Sequence, residues 1–516
     1  MESDRVMKMK TILFKNEQDS QRLKESRPEF FADLNLDQVV DWITKNKEDY
    51  RLTPFLYTPL EELDAIVYRQ EVFRDLEDKG LLENLESFAK YMIVVRRYLG
   101  VAKERHYENN KMGWHLEAAL VYCDAVHKLV ETLTQADLQS EGLIGCVKQF
   151  EDYVQSESFI QFERTSRDLK SELSSIEYNV IIRDNWVRVR KYNSEKDYSR
   201  EVNKFFSKFE EDEVKDFRVD LAVPTGMNHV EGKILDLVAK LFPREFDHLK
   251  DYYHQYENFL DEAIATFDRE IQFYFAYITF MERIENFGLR FCYPQLGVND
   301  KTIHACDTFD IALAEIHRRE DLAIVGNDFH LEGSERIIVV TGPNQGGKTT
   351  FARMFAQLHY LACLGCPIPG SEAKLLVFDQ IYTHFEREEE IQNLRGKLKD
   401  DLVRIQKIIE AASDKSIIIM NEIFTSTALE DAIYLSEIIL KKIIELDALG
   451  VCVTFIDELS TLGEQTISMV STVDPDNPAE RTFKIIRKPA DGRAYAIHVA
   501  KHHRLTQDLI KERIEQ

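Results

Sequence analysis

The stretch VVTGPNQGGKTT, Val339–Thr350, constrains this chain more than any other. It fits Gly-x-x-x-x-Gly-Lys-Ser/Thr through Gly342, Gly347, Lys348 and Thr349, between a β-branched run (RIIVV) and an amphipathic one (TTFARMFAQLHYLACL). A strand that turns into a helix through small residues can curl its backbone N–H groups around phosphate oxygens, and the helix N-terminus adds positive potential. The spacing therefore predicts a phosphate cradle made of Gly342, Pro343, Asn344, Gln345, Gly346, Gly347, Lys348, Thr349 and Thr350. Lys348 is expected to reach the β- and γ-phosphates of a bound nucleotide. The Thr349 hydroxyl is expected to face Mg²⁺, which prefers oxygen ligands.

Such a site needs a second strand end beside the loop. SIIIMNEIFTSTALEDA, Ser416–Ala432, supplies one: a buried strand that closes on Asn421-Glu422. Glu422 is the candidate base or water-orienting carboxylate, with a capping or ion-pair role as the plainer alternative. Asn421 keeps a carbonyl oxygen for Mg²⁺ or its water but carries no charge, which predicts a weak metal seat and slow turnover. Thr427 and Glu430 fit a capping box for the helix that follows.

At 516 residues the chain is too long for one ordinary core, which implies several domains. From about residue 30 to 290 apolar residues recur three and four apart, the period of amphipathic helices. The aromatics of FDHLKDYYHQYENFLDEAIATFDREIQFYFAYITFMERI read as helix–helix core rather than a cofactor box. Within this region IEYNVIIRDNWVRVRKY reads as a β-hairpin turning at Arg183-Asp184-Asn185. Period two puts Trp186, Arg188, Arg190 and Tyr192 on one face, which with Arg183 makes a candidate DNA contact, against a plain solvated strand face. From about Phe291 strands and helices alternate, which implies a mostly parallel sheet sandwiched by helices. The expected organisation is multidomain. An N-terminal helical core spans residues 1–110. Long lever-like helices span 111–290, with the β insertion near 176–192, and an α/β P-loop domain spans 291–516. The net charge of −25 argues against a general electrostatic grip on nucleic acid but leaves room for a local basic patch. No apolar run is long enough to cross a bilayer, the N-terminus lacks the apolar core of a signal peptide, and seven scattered cysteines fit a reduced cytoplasm. Cys363 and Cys366, formally C-x-x-C, read as packing residues at the end of an apolar helix.

TGPNQGGKTT resembles the Gly-Pro-Asn-x-Gly-Gly-Lys-Ser/Thr-Thr loop of MutS-type DNA mismatch repair ATPases. In the same order, YPQL, IVGND, LGCPIPGSEAKLLVFDQIYTHF, NEIFTSTALEDA, VTFIDELSTL and AYAIHVAKHHRL resemble further segments of that family, so the likeness covers about Phe291 to Leu505. The helical half resembles MutS core and lever helices more loosely. The resemblance implies an ABC-type ATPase domain, ATP and Mg²⁺ as ligands, a homodimer with nucleotide at its interface, and DNA as partner. Departures accompany it. Asn421 stands for the family's Asp, Phe455 for a histidine near the γ-phosphate, and Ile324 for an aromatic that stacks on adenine. The signature segment that reaches across the dimer is altered around Gly396. The chain starts almost directly with the helical core, leaving no room for mismatch-reading and connector domains. The expected function is thus a slow, DNA-coupled ATPase of repair or recombination that takes branched or distorted DNA rather than mismatches. The alternative is a nucleotide-dependent protein-interaction module with little hydrolysis and no DNA binding.

Overall fold

Apolar residues at helical spacing dictate helices through the first half of the chain, and the structure, a computed structural model, follows that pattern. It describes residues 10–104, 107–183, 186–193, 227, 229–386, 397–474, 477 and 480–490. The chain divides into two compact units: one built from described residues of 78–138 and 143–268, the other from 11–77, 139–142 and 269 onward.

In the first unit, helices Lys79–Glu104 and Glu108–Gln135 pack along one another. One buries Leu81, Leu85, Phe88, Met92 and Val95, the other Met112, Leu116, Ala119, Val126 and Leu129, so each presents an apolar stripe at the helical period. The aromatic run does form core. Phe259 stacks on Phe162 with ring centroids 5.5 Å apart and meets Tyr122 at 5.4 Å. The expected hairpin is present as β1 (Tyr178–Arg183) and β2 (Trp186–Lys191), antiparallel, with Arg183 opposite Trp186, Ile181 opposite Arg188 and Asn179 opposite Arg190.

The second unit is built on a six-stranded sheet. Its strands are β7 (Ile337–Thr341), β10 (Ile381–Phe385), β11 (Ile417–Asn421), β12 (Leu449–Val453), β13 (Thr466–Val473) and β14 (Arg481–Arg487). Their order is β10-β11-β12-β7-β13-β14, parallel throughout except for the β13–β14 pair. Strands β7 and β12 are buried at every residue, as in a sheet covered on both faces. One cover is the helix Lys348–Cys363, in which every residue from Met354 to Cys363 is buried. The other comprises helices Lys397–Ala411 and Leu429–Glu445, which contribute Ile405, Ile439, Leu440 and Ile443 to a core with Ile337, Val339, Ile418 and Met420. A smaller four-stranded sheet lies beside it, in the order β4 (Gln295–Gly297), β9 (Glu372–Leu376), β5 (Ile303–Thr308), β6 (Asn327–Leu331). A two-stranded pair joins β3 (Phe291–Cys292) to β8 (Ile368–Pro369).

The segment 11–77 belongs to this unit through specific contacts. The Ile12 and Leu13 amides donate to Glu270 Oε2 at 2.8 and 3.3 Å, and Arg69 Nε donates to the Leu13 carbonyl at 2.8 Å. Arg353 and Gln357, on the helix that follows the glycine loop, donate to the carbonyls of Asp33 and Leu34, both at 2.8 Å. Cys363 and Cys366 are fully buried, and burial pushes the Cys363 thiol up to about 12. No helix of the described residues is long and apolar enough to cross a membrane.

One local expectation is corrected. The helix after Asn421-Glu422 starts at Leu429 with Ala428 at its N-cap and no side-chain cap, so Thr427 and Glu430 form no capping box. The cause lies just upstream. Glu422 and Phe424 adopt positive φ (56° and 59°), and the turn closes through the Thr427 amide on the Phe424 carbonyl, which leaves Thr427 one residue short of the cap position.

Candidate functional site

The site begins where β7 ends. Between Thr341 and the helix at Lys348 the backbone takes positive φ at Gly342 (118°), Gln345 (59°) and Gly347 (88°). Such turns aim successive N–H groups into one hollow. Gly342 is required twice over: by its φ, and because a Cβ there would lie 2.8 Å from the Ser471 carbonyl oxygen. At Gly346 a Cβ would overlap the Ser471 hydroxyl, which donates to the Gly346 carbonyl at 2.6 Å. Strand β13 thus presses on the loop.

Lys348 folds back over that hollow. Its Nζ donates to the carbonyls of Gly342 and Pro343 at 3.0 and 3.1 Å and stands 4.2 Å from the centre of the Phe455 ring. Burial pushes its pKa down to about 8, with Glu422 opposing and Arg481 adding to the shift. An ammonium in that state gains from an arriving anion, which replaces two carbonyl dipoles by a charge.

Strand β11 delivers the other half. Thr349 Oγ1 donates to Asn421 Oδ1 at 2.9 Å. The next residue, Glu422, sits at φ 56°, its amide bonded to the Val453 carbonyl at 2.9 Å. A non-glycine residue in the left-handed region costs of order 1 kcal/mol and is held by its surroundings. Burial raises the Glu422 pKa, the Lys348 charge lowers it and Glu386 raises it further. Glu386 accepts from the Thr425 hydroxyl at 3.1 Å. For Mg²⁺ the pair Thr349–Asn421 offers two neutral oxygens already bonded to each other. Mg²⁺ is ordinarily held through one or two carboxylates besides substrate phosphates, so this donor set does not fit a tightly bound ion.

A cavity of about 400 Å³ opens over these groups. Asn344 to Thr350 and Glu422 line it, together with apolar side chains of Phe309, Leu313, Ile324, Met354 and Phe483. A mostly apolar hollow with convergent polar groups at one wall is the form of a small-molecule site. Asp310 also lines it, but caps the helix Ile311–Glu320 and accepts from Gln357 Nε2 at 2.9 Å.

The structure brings together Gly342 to Thr350, Asn421 and Glu422, with Phe455 over Lys348 and Ile324 in the cavity wall. Arg183, Trp186, Arg188 and Arg190 lie in the other unit, all exposed, and the β1–β2 register sets them on one face. The segments around Gly396 and at 494–505 lie outside the described residues. Sequence reasoning missed Ser471, Arg481 and Phe483, and reached Asn327 only as part of the segment IVGND. Arg481 Nε donates to the Asn344 carbonyl at 3.1 Å, while Asn327 bonds the Phe483 carbonyl and the Ile485 amide at 3.2 and 2.7 Å. The β-branched alternation of TISMVSTV was the available signal for the strand carrying Ser471.

Residues 338–516 match the family described as MutS domain V. The chain is 28% identical over 192 residues to the DNA mismatch repair protein MutS of Streptococcus suis, covering 36% of this chain and 23% of that one. It is 31% identical over 192 residues to MutS of Listeria welshimeri, covering 36% and 22%, and 28% identical over 193 residues to the DNA mismatch repair protein MSH3 of Eremothecium gossypii, covering 35% and 19%. The chain thus spans about a fifth of the length of these curated relatives.

Proposed function

The chain belongs to the MutS family through its domain V, and from that premise we propose that it is an ATP-binding protein and slow ATPase of the P-loop, ABC-type class that couples nucleotide state to DNA binding. The observation that supports this best is the meeting of Lys348, Thr349 and Glu422 at the wall of one cavity, with Asn421 hydrogen-bonded to Thr349. In this reading the glycine-loop amides and Lys348 bind the phosphates, Lys348 exchanging its two loop carbonyls for phosphate oxygens. Ile324, Met354 and Phe483 exclude water around the base. Glu422, kept ionised by Lys348 and made more basic by burial, orients the attacking water and takes its proton. Thr349 and Asn421 would hold a Mg²⁺ ion only weakly, and such an ion would supply charge neutralisation on the phosphates. Turnover is slow because position 421 offers an uncharged amide where a carboxylate would hold the ion.

The DNA step rests on the family and on the exposed face carrying Arg183, Trp186, Arg188 and Arg190. It suits branched or distorted DNA in repair or recombination. A homodimer accords with exposed Leu429 and Tyr434 on the helix after Glu422. A second reading, a nucleotide-dependent interaction module with little hydrolysis and no DNA contact, draws on Asn421 and the net charge of −25. Steady-state ATP hydrolysis with and without branched DNA separates the two. The first reading expects a slow rate that DNA changes and that Glu422→Gln abolishes while ATP stays bound. A Glu422→Gln rate equal to wild type would remove Glu422 from its role, and absence of any DNA shift at low salt with ATP leaves the second reading.

A further inference from the structure

A nucleoside triphosphate brings several negative charges, which a phosphate loop ordinarily shares between its lysine and a divalent cation. Here the group facing the Thr349 hydroxyl is a neutral amide: Thr349 Oγ1 donates to Asn421 Oδ1 at 2.9 Å. A different positive side chain stands at the loop. Arg481, on β14, donates from Nε to the Asn344 carbonyl at 3.1 Å, and its charge reaches Lys348, whose proton it loosens. Strand β13, paired to β14 through Val473 and Arg481, comes this close because Gly342 and Gly346 have no side chains to hold Ser471 off. A guanidinium keeps its charge at every working pH and offers its N–H donors in a fork that matches phosphate oxygens.

The local charges are few. Lys348 lies within reach of both Glu422 and Arg481, and Glu386, which accepts from the Thr425 hydroxyl, acts on Glu422. Asp310, the other carboxylate of the cavity wall, accepts from the Ala312 and Leu313 amides and from Gln357. An aspartate at 421 would set a further carboxylate beside the phosphates and make a divalent cation necessary to bridge them. With Asn421 and Arg481 in place that necessity is gone.

We infer that Arg481 supplies, at the phosphate end of the cavity, the positive charge that the Thr349–Asn421 pair does not hold as a metal ion, so that this site binds nucleoside di- and triphosphates without a divalent cation. This rests on the nucleotide reading of the cavity. Calorimetric titration of the full chain with ADP and with a non-hydrolysable ATP analogue, in excess Mg²⁺ and in excess EDTA, tests it. Wild-type Kd values are expected to agree within about threefold between the two buffers. Arg481→Ala is expected to weaken binding at least about tenfold in EDTA, the scale of one charge-assisted hydrogen bond, and to recover part of the loss in Mg²⁺. Arg481→Lys should retain most of the affinity in EDTA. Asn421→Asp should bind as wild type in Mg²⁺ and about tenfold more weakly in EDTA. Wild-type binding that collapses in EDTA overturns the inference, as does an Arg481→Ala chain that still melts cooperatively and binds like wild type. Arg481→Lys behaving like Arg481→Ala would show that the bond to Asn344, not the charge, is what matters, and also overturns it. No binding by the wild type in either buffer defeats the nucleotide reading itself, a result distinct from metal dependence.

Discussion

In the proposed nucleotide site Lys348 is the residue on which affinity would turn, and its protonation would make that affinity a function of pH. Burial holds its pKa down to about 8, with Glu422 opposing and Arg481 adding. Bound phosphate places negative charge beside Nζ, so the pKa in the complex lies above that of the free protein. The complex therefore binds a proton more tightly than the free chain. The affinity is fully present below pH 8 and falls as pH rises through that value, by up to about tenfold per pH unit until the pKa of the complex is reached. Titrations of a nucleotide between pH 7 and pH 9.5 should show this bend, and Lys348→Met should bind weakly at all pH values without it. A flat wild-type profile would mean that Lys348 is not the partner of the phosphates. The residue types of this half of the site were legible in the chain because they are local: Gly342, Gly347, Lys348 and Thr349 are specified by their spacing. The positive φ of Glu422 was not, because it depends on where a distant strand ends, and Phe455 was placed near the phosphates only through the family resemblance.

At the scale of elements, β13 decides which loop residues must lack a side chain. Gly346 is not in the positive-φ region, so its backbone alone would accept alanine; the Ser471 hydroxyl is what forbids it. Gly346→Ala should cost nucleotide affinity at least about tenfold by displacing the loop, an overpacking effect of roughly 1–3 kcal/mol. Adding Ser471→Gly should restore part of it by vacating the space, as a calorimetric double-mutant cycle would show. Additive losses in that cycle would mean the two residues act separately. This strand went unread in the sequence because its meaning lies in its neighbours: TISMVSTV is an ordinary β-branched run until it pairs with β7 and reaches the loop. The segment 11–77 poses the same difficulty, since helical periodicity says which face is apolar but not which unit buries it. Its anchor is testable through Glu270, which accepts the Ile12 and Leu13 amides. Burial raises the Glu270 pKa to about 7, with the two amides, Arg69 and Arg269 working the other way. An acid whose folded pKa exceeds its unfolded value of about 4.3 binds its proton more tightly when folded, so stability falls as pH rises from there to 7 and is level above. The change is on the order of 3 kcal/mol. Denaturant titrations at pH 5 and pH 7.5 should differ accordingly for wild type, and that component should vanish in Glu270→Gln. An equal pH slope in the variant would assign it elsewhere.

For the molecule as a whole, the net charge of −25 sets the terms of any DNA contact. A surface so acidic repels a duplex except where a local patch reverses the sign, and the effect is stronger at low salt, where screening is weak. The hairpin is proposed as such a patch, with Arg183, Arg188 and Arg190 on the face that also bears the half-exposed Trp186. The hairpin was readable from its β-rich alternation and turn residues, whereas its register, with Arg183 paired to Trp186 as the last residue of β1, was not. Whether the face binds DNA is a separate matter that counterion release resolves. Each neutralised phosphate contributes a slope of about −0.9 to log Kobs against log salt for B-DNA, so three arginines acting alone predict a slope near −3. Replacing Arg188 and Arg190 with alanine should reduce it by about 2 while weakening binding to all sequences alike. Replacing Trp186 should leave the slope unchanged but weaken single-stranded or branched DNA by roughly 1–3 kcal/mol, the worth of one stacked base. A double-arginine variant with the wild-type slope would place the DNA contact outside this hairpin, and a wild-type slope much steeper than −3 would require basic groups beyond it.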